Sequence, residues 1–273
     1  MLCLFLTILV GVGCSFLYSL INSNAWLWFI WLPLGLLTGF VLFFVFLYAV
    51  MLPILGCLKP TSKFKYFYAV HVVKMVNILC GAIMKVEGKE NLAPTDKMLI
   101  VSNHKSKLDP CLIYAAVNKS CSVAAKSTLW KVSILKPLIK TFEILKIDRD
   151  NDRETAKSIL QGIKYLKNNQ PVIIFPEGGI KTRETEQMVA LKPGAYKLAT
   201  KSDAVIQPIV IIGSSKLHHH KPFRFHKVIV RILPALYPSD YQNLNTHEIG
   251  YKVIEEINSN FKDEKPHEIQ VEI

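Results

Sequence analysis

The chain has 273 residues, 51% of them hydrophobic, and carries 33 Lys and Arg against 21 Asp and Glu for a net charge of +12. No Asp, Glu, Lys or Arg precedes Lys59, which argues against one uniformly soluble domain and for membrane material followed by a basic, water-exposed domain. Such a domain suits anionic lipid, a phosphorylated substrate or an acidic partner. Nucleic acid is the poorer reading, since no zinc-finger spacing, aromatic RNA-binding signature or Arg-rich tract occurs.

Residues 2–21 are free of charge and span about 30 Å as a helix, enough to cross a bilayer. Asn22-Ser23-Asn24 breaks this run. Residues 25–52 form a second uncharged run, opened by Trp26, Trp28 and Trp31 as interfacial aromatics. Pro33 is placed to kink it and Pro53 to end it. Residues 1–58 therefore read as a transmembrane helical hairpin, and residues 59–273 as the second domain. A cleaved signal peptide is disfavoured because no Lys or Arg precedes the first run. Lys59, Lys63 and Lys65 follow the second run, and the positive-inside bias puts the domain on the cytoplasmic face of an integral membrane protein. The six cysteines (Cys3, Cys14, Cys57, Cys80, Cys111 and Cys121) make no C-x-x-C pair and read as reduced apolar residues.

Residues 66–86 predict an amphipathic helix, either interfacial or an ordinary surface helix. A strand and turn follow at 86–92, then a buried strand beginning at Met98 and a polar turn holding Asn103, His104 and Asp109. Asp109-Pro110 reads as N-cap and first position of a helix running to Val117. Strands follow at 120–126, 144–149, 172–175, 205–212 and 228–233, with helices at 132–142, 153–168, 193–200 and 246–260. Pro208 predicts that its strand is irregular or at an edge. Strands alternating with helices give an α/β sheet flanked by helices.

Polar residues recur at strand ends, where ligands sit in α/β sheets: His104, Lys126, Arg149 and Glu177. An Asp109 carboxylate folded back on the His104 imidazole would make a general base for an alcohol. A lone His and Asp five apart also occur in many loops. Arg149 can grip a phosphate in bidentate fashion, or pair with Asp148, Asp150 or Asp152. Lys126 can hold the same phosphate, or be a solvated strand-end lysine. Gly178 and Gly179 allow close backbone approach to a ligand, with Glu177 anchoring the turn; a plain turn is the alternative. Lys192-Pro193-Gly194 opens a helix, and so a possible anion site. His218-His219-His220 reads as an exposed turn before a metal site, and no metal is expected.

The ordered blocks Asn103-His104 to Asp109 (N-H-x-x-x-x-D), Ile147-Asp148-Arg149, Phe175-Pro176-Glu177-Gly178 and the Pro-containing strand at 206–210 resemble the glycerolipid acyltransferases of the 1-acylglycerol-3-phosphate acyltransferase type. The resemblance covers roughly residues 66–235. It implies that His104 is the base and Asp109 its orienter. It further implies that Arg149, Lys126 and the Glu177-Gly178 turn bind the phosphate of lysophosphatidic acid. The implied product is phosphatidic acid, with acyl-CoA or acyl carrier protein as co-substrate, no resident cofactor, and membrane lipids as partners. Another acceptor, such as glycerol 3-phosphate or a lysophospholipid, is the alternative. So, at greater distance, are a non-catalytic lipid-binding protein and a metal-assisted lipid hydrolase. Where the family places an Arg after F-P-E-G, this chain has Ile180, with Lys181 and Arg183 nearby.

Overall fold

A computed structural model describes residues 2–22, 28–60, 62–148, 151–219, 224–261, 267 and 269–271. The chain opens with helix α1 (Leu2–Asn22) and helix α2 (Trp28–Phe46), packed as a hairpin. The hairpin's contact is close because Gly39 lies against Gly11: a Cβ on Gly39 would come within 2.8 Å of Gly11 Cα and of the Thr7 carbonyl oxygen. Tyr18 and Thr38 hydroxyls add a bond at 3.2 Å. The apolar stretch Ile30–Cys57 is long and apolar enough to cross a membrane.

Pro53 does not end the second helix. The backbone widens into a π-helical turn at Leu47–Met51, with Leu52 N–H bonding to the Leu47 carbonyl, and continues as α3 (Leu52–Cys57). A proline lacks an N–H and clashes with the carbonyl four residues back; the wider turn just before it accommodates both defects. Helix α4 (Lys63–Leu79) follows, capped by the Ser62 side chain. It stops short of the expected residue 86. Gly81, at φ +77°, turns the chain into strand β1 (Ala82–Glu87).

In order there follow β2 (Met98–Ser102), α5 (Asp109–Val117), β3 (Ser122–Lys126), α6 (Lys136–Thr141), β4 (Leu145–Ile147), α7 (Asp152–Lys167) and β5 (Val172–Ile174). Then come β6 (Ala190–Leu191), α8 (Lys197–Thr200), β7 (Val205–Ile212), β8 (His226–Ile232), α9 (Pro238–Tyr241), α10 (Thr246–Asn258) and β9 (Gln270–Val271). Two of the expected helices are shorter than predicted. The stretch 132–142 starts with a 3-10 turn, Ser133–Leu135, and only then becomes α6; another 3-10 turn, Ser127–Lys131, precedes it. The stretch 193–200 is a 3-10 turn, Pro193–Tyr196, ahead of α8. The closing helix ends at Asn258.

Seven strands form one sheet in the order β1-β8-β7-β2-β5-β3-β4. Strands β7, β2, β5, β3 and β4 are mutually parallel, and β8, with β1 beside it, runs the other way. The period of two along β2 divides the core. Leu99 and Val101 face one layer with Leu166, Leu198, Ile249, Val253 and Ile257. Met98 and Ile100 face the other with Val70, Leu112, Ile113 and Val117. Pro208 thus lies in a central strand, not at an edge. Ile206 N–H bonds to the Leu236 carbonyl, so the even-numbered nitrogens of β7 point toward the β8 side. There β8 has ended at Ile232, and the missing N–H of Pro208 faces the break between the Leu236 bridge and the Ile232 ladder. No ladder bond is lost.

Candidate active site

Because β2, β5, β3 and β4 are parallel and adjacent, their carboxyl ends share one edge of the sheet. The loop leaving β2 places His104 there. Its Nδ1 lies 2.9 Å from Asp109 Oδ2. That same oxygen accepts the backbone N–H of Lys105 at 2.7 Å and of Ser106 at 2.8 Å. Asp109 is therefore the first residue of α5, not its N-cap, and it closes the catalytic loop onto itself. A carboxylate already accepting two N–H groups favours a proton on Nδ1, which leaves the Nε2 lone pair free to accept a proton. Asp109 is fully buried, and its Oδ1 has no hydrogen-bond partner among the described residues. The imidazole also stacks on Phe175, with ring centroids 4.1 Å apart and 21° between planes. Base, carboxylate and backing ring thus hold one orientation.

The structure separates the other predicted residues by role. Asn103 is fully buried and braces the fold. Its Nδ2 donates to the carbonyls of Glu186 and Ile211 at 2.9 and 2.8 Å, and its Oδ1 accepts Ile211 N–H at 2.9 Å. Glu177 is equally buried and faces Lys105, whose Nζ lies 3.3 and 3.4 Å from the two carboxylate oxygens. Both side chains are enclosed by the protein. Burial pushes the Glu177 carboxyl up to about 7, against the pull of Lys105. Gly178 does lie at a close approach: a Cβ there would come within 2.7 Å of Lys192 Cε, so the Lys192 side chain runs over the turn. Lys192 N–H also bonds to the Pro176 carbonyl at 2.8 Å. Gly179 follows with φ +148°.

Lys126 is exposed at the end of β3, in register with Ile147 of β4. One strand separates it from β2, roughly 10 Å at the usual strand spacing. Arg149, with Asp150, lies outside the described residues, two positions past the end of β4. The His218 and His219 side chains and His220 lie outside them as well.

One residue of the site, Lys105, is not legible in the sequence as such, and Arg183 is legible only as one of two cations, with Lys181, close to Ile180. Lys105 is a buried lysine beside the base, and its ion pair with Glu177 joins the β2 loop to the β5 turn. Arg183, near the place where Ile180 replaces the family's arginine, donates from Nε to the Lys105 carbonyl at 3.1 Å. It brings a guanidinium against the catalytic loop. Glu186 ties the turn after β7 to this region: its Oε1 accepts from Ser215 Oγ at 2.6 Å and from Gly213 N–H at 3.2 Å, and its backbone carbonyl accepts from Asn103 Nδ2. Burial raises its carboxyl above the usual range.

A histidine held by a buried carboxylate, with a glycine turn and lysines nearby, is an arrangement that can take a proton from an alcohol. The Acyltransferase family matches residues 83–212, which contain this whole arrangement. Over these residues the chain is similar to the Acyltransferase family, and it is an acyltransferase. A probable 1-acyl-sn-glycerol-3-phosphate acyltransferase of Mycoplasma pneumoniae is 27% identical over 216 residues, covering 74% of this chain and 79% of that protein. A 1-acyl-sn-glycerol-3-phosphate acyltransferase of Helicobacter pylori is 31% identical over 156 residues, 56% of this chain and 65% of that one. The crystal structure of the 1-acyl-sn-glycerophosphate acyltransferase PlsC from Thermotoga maritima shares the fold, with a TM-score of 0.66 at 20% identity, covering 82% of this chain and 92% of that one.

Proposed function

We propose that this protein transfers an acyl chain from an acyl thioester to the sn-2 hydroxyl of lysophosphatidic acid, giving phosphatidic acid. The observation that carries this reading is the His104–Asp109 pair at the carboxyl ends of the parallel strands. Nε2 of His104 takes the hydroxyl proton as the oxygen attacks the thioester carbonyl. A tetrahedral oxyanion forms, then collapses and expels the thiolate. The imidazolium returns its proton to that sulfur, so the products are an ester and a free thiol. No serine or cysteine nucleophile is needed, no acyl-enzyme forms, and no resident cofactor takes part. Coenzyme A and acyl carrier protein both satisfy the donor chemistry.

The phosphate sits among Lys126, Arg149 and the turn at Gly178 and Lys192, with Arg183 supplying the cation that Ile180 does not. The apolar hairpin anchors the protein in the membrane. Lys59, Lys63 and Lys65 keep the domain on the cytoplasmic side, where acyl thioesters are found.

Purified full-length protein given lysophosphatidic acid and a labelled acyl thioester should form labelled phosphatidic acid in the presence of chelator. Arg149→Ala should lower kcat/KM for lysophosphatidic acid by about 10- to 100-fold, the loss of one charge-assisted contact. It should leave the slow acylation of an uncharged monoacylglycerol unchanged. Equal loss on both acceptors would assign Arg149 a structural role, and a wild-type preference for the uncharged acceptor would overturn the substrate.

A further inference from the structure

The segment between β3 and α6 is not built like the surface loop of a soluble domain. Its two 3-10 turns leave Leu129, Val132 and Ile134 exposed, Ile134 at 63%. Water-facing loops rarely collect large apolar side chains at this density. Lys126, Lys131, Lys136 and Lys140 are interleaved with them and are also exposed. No acidic residue occurs between Asp109 and Glu143.

The segment is also fastened to the second apolar helix. Tyr48 donates its hydroxyl to the Ile134 carbonyl at 2.9 Å, and Thr141 Oγ1 donates to the Leu52 carbonyl at 3.4 Å. Leu138 and Phe142 pack on Leu47, Leu52 and Leu55. Along α2 and its continuation, Tyr48 stands about 30 Å from Trp28 at 1.5 Å per residue. The hydrocarbon core is about 30 Å thick. The bond to Tyr48 therefore holds Ile134 near the boundary between hydrocarbon and headgroups. The segment leaves the carboxyl end of β3, on the same sheet edge as His104.

We propose that residues 127–135 are a flap that dips into an anionic bilayer. Leu129, Val132 and Ile134 enter the acyl region, and Lys131, Lys136 and Lys140 meet lipid phosphates. The flap seats the strand-end crevice on the lipid surface, so that an acceptor with its chain in the bilayer reaches His104 without leaving it. A bilayer fits better than a protein partner, because apolar side chains alternate with lysines in a segment that contains no acidic residue and the helix beside it fixes their depth. Only the kinetic part of the test rests on the acyl-transfer reading.

The first measurement uses the full chain with its native cysteines replaced by Ser and Ile134→Cys carrying a polarity-sensitive fluorophore, in phosphatidylcholine nanodiscs with and without phosphatidylglycerol. Lipids brominated on their acyl chains should quench the label, aqueous iodide should not, and Lys131→Glu with Lys136→Glu should reduce the bromolipid quenching in the anionic discs. Quenching by iodide alone would overturn the flap. In the second measurement, Val132→Asp with Ile134→Asp should lower turnover of bilayer-embedded lysophosphatidic acid at least tenfold. Turnover of a short-chain, monomerically dissolved lysophosphatidic acid should stay at the wild-type rate. Loss on both acceptors, or on neither, would also overturn it. If the wild type acylates neither acceptor, the substrate reading fails while the fluorophore still decides the flap.

Discussion

One oxygen holds the His104 imidazole in place. Asp109 Oδ2 accepts the imidazole and two backbone N–H groups, so the ring's tautomer and the loop's shape depend on the same atom. His104→Ala should lower turnover by about 10²–10⁴, the usual contribution of a general base. Asp109→Asn should be similarly severe. The double variant should be little worse than the worse single, since the two act as a unit; multiplicative losses in steady-state kinetics would show them to be independent.

The Lys105–Glu177 pair is a second residue-scale device, and removing one partner strands the other in the interior. Lys105→Met should destabilise by about 3–5 kcal/mol at pH 8, the usual cost of breaking a buried pair. The pH dependence follows from Glu177. Its folded value near 7 exceeds the ordinary 4.5, so its contribution is fully present below 4.5 and is lost as pH rises toward 7. Within that window the slope is about 1.4 kcal/mol per pH unit at most. Without Lys105 the carboxyl would titrate higher still. The cost of Lys105→Met should therefore shrink between pH 8 and pH 5 in denaturant unfolding, and a constant cost would remove Glu177 as its cause.

At the scale of elements, the hairpin depends on backbone proximity. Gly39→Val would drive a side chain into Gly11 and the Thr7 carbonyl, whereas a Cβ on Gly13 meets nothing within 4 Å. Gly39→Val should lower the thermal midpoint of the reconstituted protein by several degrees and weaken cysteine cross-linking between α1 and α2. Gly13→Ala should change neither. Equal behaviour of the two variants would mean that the helices do not pack at Gly39. The π turn ahead of Pro53 serves the same continuity: it lets one helix run from apolar surroundings into contact with α6.

At the scale of the whole molecule, the apolar N-terminal helices and the α/β domain share a core. Leu47, Met51, Leu52 and Leu55 are buried against a cluster that includes Tyr68, Val72, Leu138 and Phe142. The boundary at residue 58 therefore cuts through packed side chains. Deleting residues 2–46 should leave a domain that still unfolds cooperatively. Deleting 2–58 should lower its midpoint sharply or leave it aggregated, because burying each such side chain is worth about 1.5–3 kcal/mol. Equal midpoints in calorimetry would show that the cluster contributes nothing.

The chain's own order of residues determined the α/β class, the apolar hairpin and the pairing of His104 with Asp109. Each rests on a local signal: alternation, an uncharged run, or two groups within one short loop. Asp109's exact place in α5 was less legible, because an Asp before Pro can cap the helix or begin it, and only the loop hydrogen bonds decide. The end of α4 at Leu79, ahead of Gly81, the continuation through Pro53 and the central place of Pro208 were decided by tertiary structure. In each case a rule about single residues was overridden by a neighbouring element that supplied or excused a hydrogen bond. The buried role of Asn103, the pairing of Glu177 with Lys105 across 72 positions and the docking of Arg183 on the catalytic loop were likewise invisible. A polar residue in a sequence carries no mark of which way it faces. Folding turned Asn103 and Glu177 inward, because their partners lie on strands and loops that meet only once the parallel sheet has formed.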